Sequence, residues 1–213
     1  MPPLRNLIFD LGGVLLNLDV RLTEQAFERL AGTPERHRVL SEELRRTEFF
    51  DRFEVGEFSG ATFLQILRGH LPTATETEIA EAWSAMLLDL PSERLGLLRR
   101  LAGHYRLFLF SNTNELHVAD FRKIVLAQHG EVDFDGLFEQ AWYSHLVGHR
   151  KPHGDAFRHV LGLAGLRAEE TMFVDDNPPN IHGAASVGIR THLHAANSDL
   201  EASLRAAGLV FPI

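Results

Sequence analysis

Four groups of polar residues each stand directly behind a short apolar run, and their side chains are those that a phosphoryl transfer requires. Asp10 follows Leu7 to Phe9 and is succeeded by Leu11, Gly12 and Gly13, while Ser111-Asn112-Thr113-Asn114 follows Leu107 to Phe110. Lys151-Pro152 ends the loop behind Ala141 to Tyr143, and Asp175-Asp176-Asn177 follows Met172 to Val174. Phosphoryl transfer needs an in-line nucleophile, neutralisation of the equatorial oxygens and, as a rule, a divalent cation. The Asp10 carboxylate can accept the phosphoryl group and split one hard hydrolysis into two easier steps. Backbone amides of Leu11 and Gly12, which the paired glycines allow to approach closely, can hold phosphoryl oxygens together with Ser111, Asn112 and the point charge of Lys151. Asp175 and Asp176 would complete, with Asp10, a carboxylate set of the kind Mg2+ prefers.

These residues converge only if the apolar runs are strands of one parallel sheet. Five runs read as buried strands: Leu7 to Phe9, Leu107 to Phe110, Ala141 to Tyr143, Met172 to Val174 and Thr191 to Leu193. Helical patterns lie beside them. Ser92 can cap a helix through Leu101, Asp155 to Ala164 has Phe157, Val160, Leu161 and Ala164 at helical spacing, and Ser198-Asp199-Leu200-Glu201 reads as a capping box. The alternation predicts an α/β fold, a parallel sheet covered by helices on both faces, in which ligands bind beyond the carboxyl ends of the strands. Between the first strand and Ser92, however, about seventy residues pass without a strand, too many for an ordinary connection. Helices predicted over Arg21 to Leu30, Glu35 to Phe50, Ser59 to Leu71 and Thr75 to Leu88 make this an inserted helical module, punctuated by Pro34, Gly56, Pro72 and Pro91. The last of them opens on the capping box Thr75-Glu76-Thr77-Glu78.

Taken singly, each motif has a plain structural reading: Asp10 as a turn-capping aspartate, Ser111 to Asn114 as a polar loop that starts a helix, Asn177-Pro178-Pro179 as a turn. Two observations weigh against chance. Lys occurs only at 123 and 151 among 21 basic residues, so a chain that otherwise uses Arg has Lys behind its third strand. Adjacent acids beside a buried strand are costly without a cation to neutralise them. His145, His149 and His153 recur every fourth residue, but Gly148 and Pro152 interrupt any helix there, so they read as loop histidines. His192 and His194 would share a strand face with nothing nearby to complete a metal set. Phe49, Phe50 and Phe53 read as helix packing rather than a substrate clamp.

Composition bounds the remaining alternatives. The 213 residues, 45% apolar and 23% charged, suit a globular chain with one large core and a modest insert. A net charge of -8 and the lack of a basic stripe argue against a nucleic-acid partner. Without cysteine the chain has no disulfides, thiolate chemistry or Cys-ligated zinc. Neither a signal peptide nor an apolar run of membrane-spanning length is evident, which leads us to expect a cytoplasmic protein with no membrane association.

The segment Leu7-Ile8-Phe9-Asp10-Leu11-Gly12-Gly13-Val14-Leu15 resembles the first motif of the haloacid dehalogenase-like (HAD) hydrolase superfamily. Ser111 resembles the second motif, Lys151 the third, and Asp175-Asp176 with Asn180 the fourth, all in the right order over residues 1 to 16 and 91 to 194. The resemblance implies a Rossmann-like core of residues 1-16 and 91-213, with residues 17-90 as a helical C1 cap that closes over the site and selects substrate. It implies Asp10, Ser111 and Lys151 as catalytic residues, and a metal held by Asp10, Asp175, Asp176 and the main chain of Gly12. Family phosphatases usually carry a second acid two residues after the nucleophile, which protonates the leaving oxygen and activates water. Gly12 stands there, as in some sugar-phosphate phosphatases, and the layout is also similar to the phosphatase domain of some epoxide hydrolases. General acid-base catalysis contributes roughly 10² to 10⁴-fold, so its loss slows turnover without abolishing it; solvent, the substrate and a nearby group such as Asp19 or His117 are the candidates to substitute. The resemblance thus implies a Mg2+-dependent phosphatase acting on a small phosphorylated metabolite, a sugar phosphate among the candidates. Its rivals are a metal-independent 2-haloacid dehalogenase, whose halide leaves without a proton, and a non-catalytic phosphate-binding protein. A receiver domain, which also phosphorylates an aspartate, is much shorter and places its acidic pair after strand one.

Overall fold

A computed structural model describes residues 2–211. All five expected strands form: β1 (Asn6–Phe9), β2 (Arg106–Ser111), β3 (Gln140–Tyr143), β4 (Thr171–Asp175) and β5 (Arg190–Leu193). They pair in parallel in the order β3-β2-β1-β4-β5. Central β1 is buried along its whole length, which is why it reads as a continuous apolar run rather than an alternating one. Leu7 and Phe9 point to one face and Ile8 to the other, as the period of two requires. On the first face the sheet packs against α6 (Ser92–Leu101), α7 (Glu115–His129) and α11 (Leu200–Ala206) through Leu98, Phe121 and Leu204. On the second it meets α9 (Gly154–Leu163) and α10 (Pro178–Ser186) through Phe157, Val160 and Ala184. Short α8 (Ser144–Val147) follows β3 directly.

The segment between β1 and α6 holds five helices and no strand, with α1 (Val20–Ala31), α2 (Pro34–Arg46), α3 (Phe49–Glu54), α4 (Gly60–His70) and α5 (Glu76–Ser84) sharing an apolar cluster of their own. One long helix was expected over Glu35 to Phe50; instead the chain breaks at Glu48, which adopts φ 50°. The spacing explains the break. Leu40 and Leu44 form one helical stripe and Phe49 and Phe53 another, but Phe49 lies five residues after Leu44, off the three-to-four period, so a left-handed turn between them lets both stripes be buried. Phe49, Phe50 and Phe53 do pack within this cluster, with Phe53 and Phe63 ring centroids 4.2 Å apart.

Capping is correct in part. Thr75 and Glu78 form the expected reciprocal box, and Ser59 caps α4. Ser92, in contrast, is the first residue of α6 and makes no cap, because Pro91 takes the cap position; at α11 the cap is Asp199, which accepts from the Ala202 N–H at 2.9 Å, not Ser198. The expected turn at Pro178-Pro179 is the first turn of α10, where a missing N–H costs nothing. α5 stops at Ser84 rather than Leu88 because the residues beyond it pair with the outgoing chain. Asn17 N–H donates to Asp89 O (2.9 Å), Leu88 N–H to Asn17 O (3.0 Å) and Asp19 N–H to Met86 O (3.0 Å). Asn197 continues the ladder with its side chain, donating to Leu18 O (3.0 Å) and accepting from Leu18 N–H (3.2 Å). Among the described residues, no helix is long and apolar enough to cross a membrane.

Candidate active site

Strands β1, β2 and β4 end side by side, and their parallel register decides which residues meet. Phe9 is level with Leu109 on one side and Val174 on the other, so Asp10 lies level with Asp175 and next to the end of β2. Asp10 N–H donates to Val174 O at 2.9 Å, carrying the ladder into the site. Lys151 comes from the loop between α8 and α9, and its Nζ bridges the two acids, 2.9 Å from Asp10 Oδ1 and 2.7 Å from Asp175 Oδ2. The ammonium is 1% exposed and rests over the rings of Phe110 and Phe173, at 5.6 and 5.1 Å from their centroids. Burial alone would favour its neutral form. The two carboxylates outweigh burial and raise its pKa above the usual lysine value.

The Asn112 side chain is tied to the lysine backbone. Its side-chain Oδ1 accepts from Lys151 N–H and its Nδ2 donates to Lys151 O, both at 2.9 Å, so the amide clamps the lysine backbone from both sides. Gly183 in α10 lets the helix approach the same loop, since a Cβ there would lie 1.9 Å from Pro152 O. Ser111 is buried, and its hydroxyl makes only a 3.5 Å contact with Asn112 O, at the limit of a hydrogen bond. That leaves the hydroxyl available to a ligand.

The carboxylates are not equivalent. Asp175 Oδ1 accepts from Asn177 N–H (2.8 Å) and Asn180 Nδ2 (3.1 Å), and Oδ2 accepts from Asn180 Nδ2 (3.1 Å) as well as Lys151, so its lone pairs are largely taken. Asp10 Oδ1 accepts from Leu11 N–H at 2.7 Å and from Lys151, while Oδ2 has no hydrogen bond among the described residues. Oxygens of Asp10, Asp175 and Asp176 all lie within 4.8 Å of one another. Burial raises the pKa of Asp10 well above the usual carboxylate value despite the opposing pull of Lys151, and the charge of Asp175 adds to the rise; burial and the same Asp175 charge also raise Asp176. Three crowded acids served by one ammonium form an all-oxygen donor set short of positive charge, which fits a hard divalent cation.

Gly13 shapes this cluster. It adopts φ +73°, and a Cβ would fall 2.2 Å from Asp176 Oδ2. Gly13→Ala is therefore expected to displace Asp176 and strain the turn, weakening the binding of an added divalent cation about 10-fold or more; a calorimetric metal titration with an unchanged midpoint would show that Asp176 does not depend on this contact. At Gly12 the space for a side chain is taken by Leu18, whose Cδ1 lies 2.4 Å from an ideal Cβ. An acid at position 12 would have to push Leu18 aside.

Neither side-chain substitute expected for that acid suits the task. Asp19 caps α1 and is paired with the Arg21 guanidinium at 2.9 and 2.8 Å, which keeps it ionised and lowers its pKa. His117 is stacked on Trp83, its Nε2 3.1 Å from Trp83 O and its Nδ1 3.3 Å from Asn114 Nδ2. That network fits a neutral ring donating from Nε2 and accepting at Nδ1, and desolvation lowers its pKa to about 4. His145 lies in α8, His149 stacks on His159 with centroids 4.3 Å apart, and His153 precedes α9. His192, in β5, bonds Ser203 Oγ at 2.6 Å, and His194 is buried just past the strand.

Sequence reading missed the roles of Leu18, Asn114 and Ser144. Asn114 Oδ1 caps α7 by accepting from His117 N–H (3.0 Å) and also receives the Trp83 indole N–H (3.3 Å), while Ser144 Oγ binds both N–H and O of Thr113. A signal for Asn114 was present: an Asn cap followed by Val118, Phe121 and Val125 at helical spacing.

A parallel sheet whose neighbouring strands end in Asp10 and Asp175, with a buried lysine between them and Asp176 beside them, brings together the groups that a phosphoryl transfer would use. The chain belongs to the haloacid dehalogenase-like hydrolase family, whose pattern matches residues 4–188. It is 27% identical over 191 residues to a D-ribitol-5-phosphate phosphatase from Bacteroides thetaiotaomicron, covering 88% of this chain and 90% of that one. It is 31% identical over 194 residues to a sesquiterpene phosphatase from Aspergillus oryzae, covering 90% and 89%. Among solved structures it is similar to a HAD family enzyme from Bacteroides thetaiotaomicron in complex with magnesium and inorganic phosphate, with a TM-score of 0.82, 29% identity and coverage of 92% and 96%.

Proposed function

We propose that the protein is a Mg2+-dependent phosphatase that hydrolyses a small phosphomonoester through an aspartyl-phosphate on Asp10. The observation that carries this reading is Lys151 Nζ shared between Asp10 and Asp175 within a cluster completed by Asp176. The phosphatase names of two relatives support it, as does the magnesium and phosphate held by a similar solved structure. Residues 17-90 are read as a cap over a core of 1-16 and 91-213. The relatives' names differ in the group that bears the phosphate, so what they share is the removal of phosphate.

In this mechanism Asp10 attacks phosphorus with its Oδ2, the oxygen left free by Leu11 and Lys151, and the ester P–O bond breaks. The Lys151 ammonium, the Ser111 hydroxyl and the Gly12 N–H hold the non-bridging oxygens, while the Leu11 N–H stays on Asp10 Oδ1. Asp10, Asp176 and the Gly12 carbonyl would hold the magnesium ion, which would supply neutralising charge at the phosphoryl group. Asp175, saturated by Lys151, Asn177 and Asn180, orients the lysine instead of binding metal directly. With Gly12 unable to act, and Asp19 and His117 both engaged, the departing oxygen takes its proton from solvent. Water then attacks the aspartyl-phosphate, releasing phosphate and restoring Asp10.

The test is a panel of phosphomonoesters, including ribitol 5-phosphate and p-nitrophenyl phosphate, assayed with Mg2+ and with chelator. Phosphate release that chelator lowers at least ~10²-fold is expected. Halide release from 2-haloacids in chelator, with no phosphate release, would replace the proposal with the dehalogenase.

A further inference from the structure

The helices α1, α2, α3 and α5 line a partly open cavity of about 220 Å3 that the catalytic reading leaves unused. Its walls are mainly apolar, formed by Phe27, Leu40, Leu44, Phe50, Trp83 and Met86. The smaller polar side chains that border it are already paired. Thr23 Oγ donates to Trp83 O at 3.0 Å and accepts from Met86 N–H at 3.1 Å, and Ser41 Oγ lies 3.3 Å from His37 Nε2. Glu24 and Arg45, the charged groups of the lining, are both solvent-exposed. A polyol entering here would give up hydrogen bonds to water and find few free partners, whereas a hydrocarbon would gain by leaving water.

Two of the cavity's lining residues are joined to the segments that carry the candidate catalytic residues. Val20, which borders it, lies two residues beyond Leu18, the side chain that covers Gly12. Trp83 hydrogen-bonds Asn114, three residues after Ser111. A group of modest length on the far side of a phosphate near Asp10 could therefore extend between Leu18 and Trp83 into the cavity.

We propose that this cavity receives the apolar part of the substrate, so that the preferred phosphomonoesters carry a hydrocarbon chain rather than a polyol. The inference rests on the phosphatase reading above. It predicts that kcat/KM along the n-alkyl phosphates from methyl to hexyl rises about 4-fold per methylene until the cavity is full, the fold-change that ~0.8 kcal/mol per buried CH2 gives. Ser41→Phe, which narrows the cavity from a half-buried position, is expected to lower the hexyl-to-methyl ratio about 10-fold or more. The wild-type enzyme gives an independent readout with n-alkylphosphonates, whose stabilising shift in Tm should grow with chain length in the same order. Methyl, hexyl and polyol phosphates turned over equally, with equal Tm shifts, would overturn the apolar subsite and leave the phosphatase reading standing. No hydrolysis of any ester, p-nitrophenyl phosphate included, would overturn both.

Discussion

Asp10→Asn should abolish phosphate release, by at least ~10⁴-fold in kcat, while leaving the protein folded. The substitution keeps the side chain's size and removes the charge and nucleophilicity that an acyl phosphate requires. It leaves the Lys151–Asp175 pair intact, and Lys151 keeps the backbone clamp from Asn112. Burial already makes ionised Asp10 costly, so a neutral amide there is tolerated, and Tm should stay close to that of the wild type. Two measurements check the expectation: steady-state turnover, and trapping of a hydroxylamine-sensitive phosphoenzyme in acid-quenched wild-type samples. Near-normal turnover by Asp10→Asn, or no trapped adduct in a wild-type enzyme whose second step is slow, would point to direct attack by water.

Lys151→Met should have the second large effect, and on stability as well as activity. Without the ammonium, Asp10 and Asp175 face each other at a buried site with no counter-charge, and breaking such an arrangement costs about 3–5 kcal/mol. The pH dependence has a definite sign. Lys151 lowers the Asp10 pKa, so its removal raises further a value already above the unfolded one. A carboxyl whose folded pKa exceeds its unfolded pKa destabilises the fold while ionised, and that penalty shrinks as pH falls below the folded value and is gone below the unfolded one. The variant's deficit in urea denaturation should accordingly be greatest near neutral pH and shrink on acidification, and Mg2+ should restore part of it by binding the folded state. A deficit independent of pH and metal would mean that Lys151 acts through its packing on Phe110 and Phe173 instead of its charge.

The parts of this architecture that were legible in the sequence are those fixed by burial. Strands covered on both faces appear as unbroken apolar runs, so β1, β2, β3 and β4 could be located within about two residues, and Asp10, Lys151, Asp175 and Asp176 could be read as the polar residues just beyond them. Lysine 151 stood out because arginine is the ordinary cation of this chain. What could not be read depends on contacts between distant segments. Nothing local to Asn112 reveals that its amide will clamp a backbone 39 residues away, or that Leu18 will fill the space beside Gly12. The break at Glu48 was obscured by the run of good helix formers around it, and the end of α5 was set by Asn17 and Asp19, some seventy positions back in the chain.

That pairing of Asn17 and Asp19 with Met86, Leu88 and Asp89 means the helical segment leaves and rejoins the sheet domain through the same doorway. The two chain passages lie within hydrogen-bonding distance, so everything between them is a loop closed at its neck, and β1 and β2 would meet in the same register whatever that loop contained. Such a neck would let one helical segment be exchanged for another of different length without moving Asp10 relative to Ser111. The side chain of Asn197, hydrogen-bonded to both backbone groups of Leu18, ties this neck to the carboxyl-terminal part of the chain, so a transplanted segment would need to retain that one residue's docking edge to sit squarely on its new host.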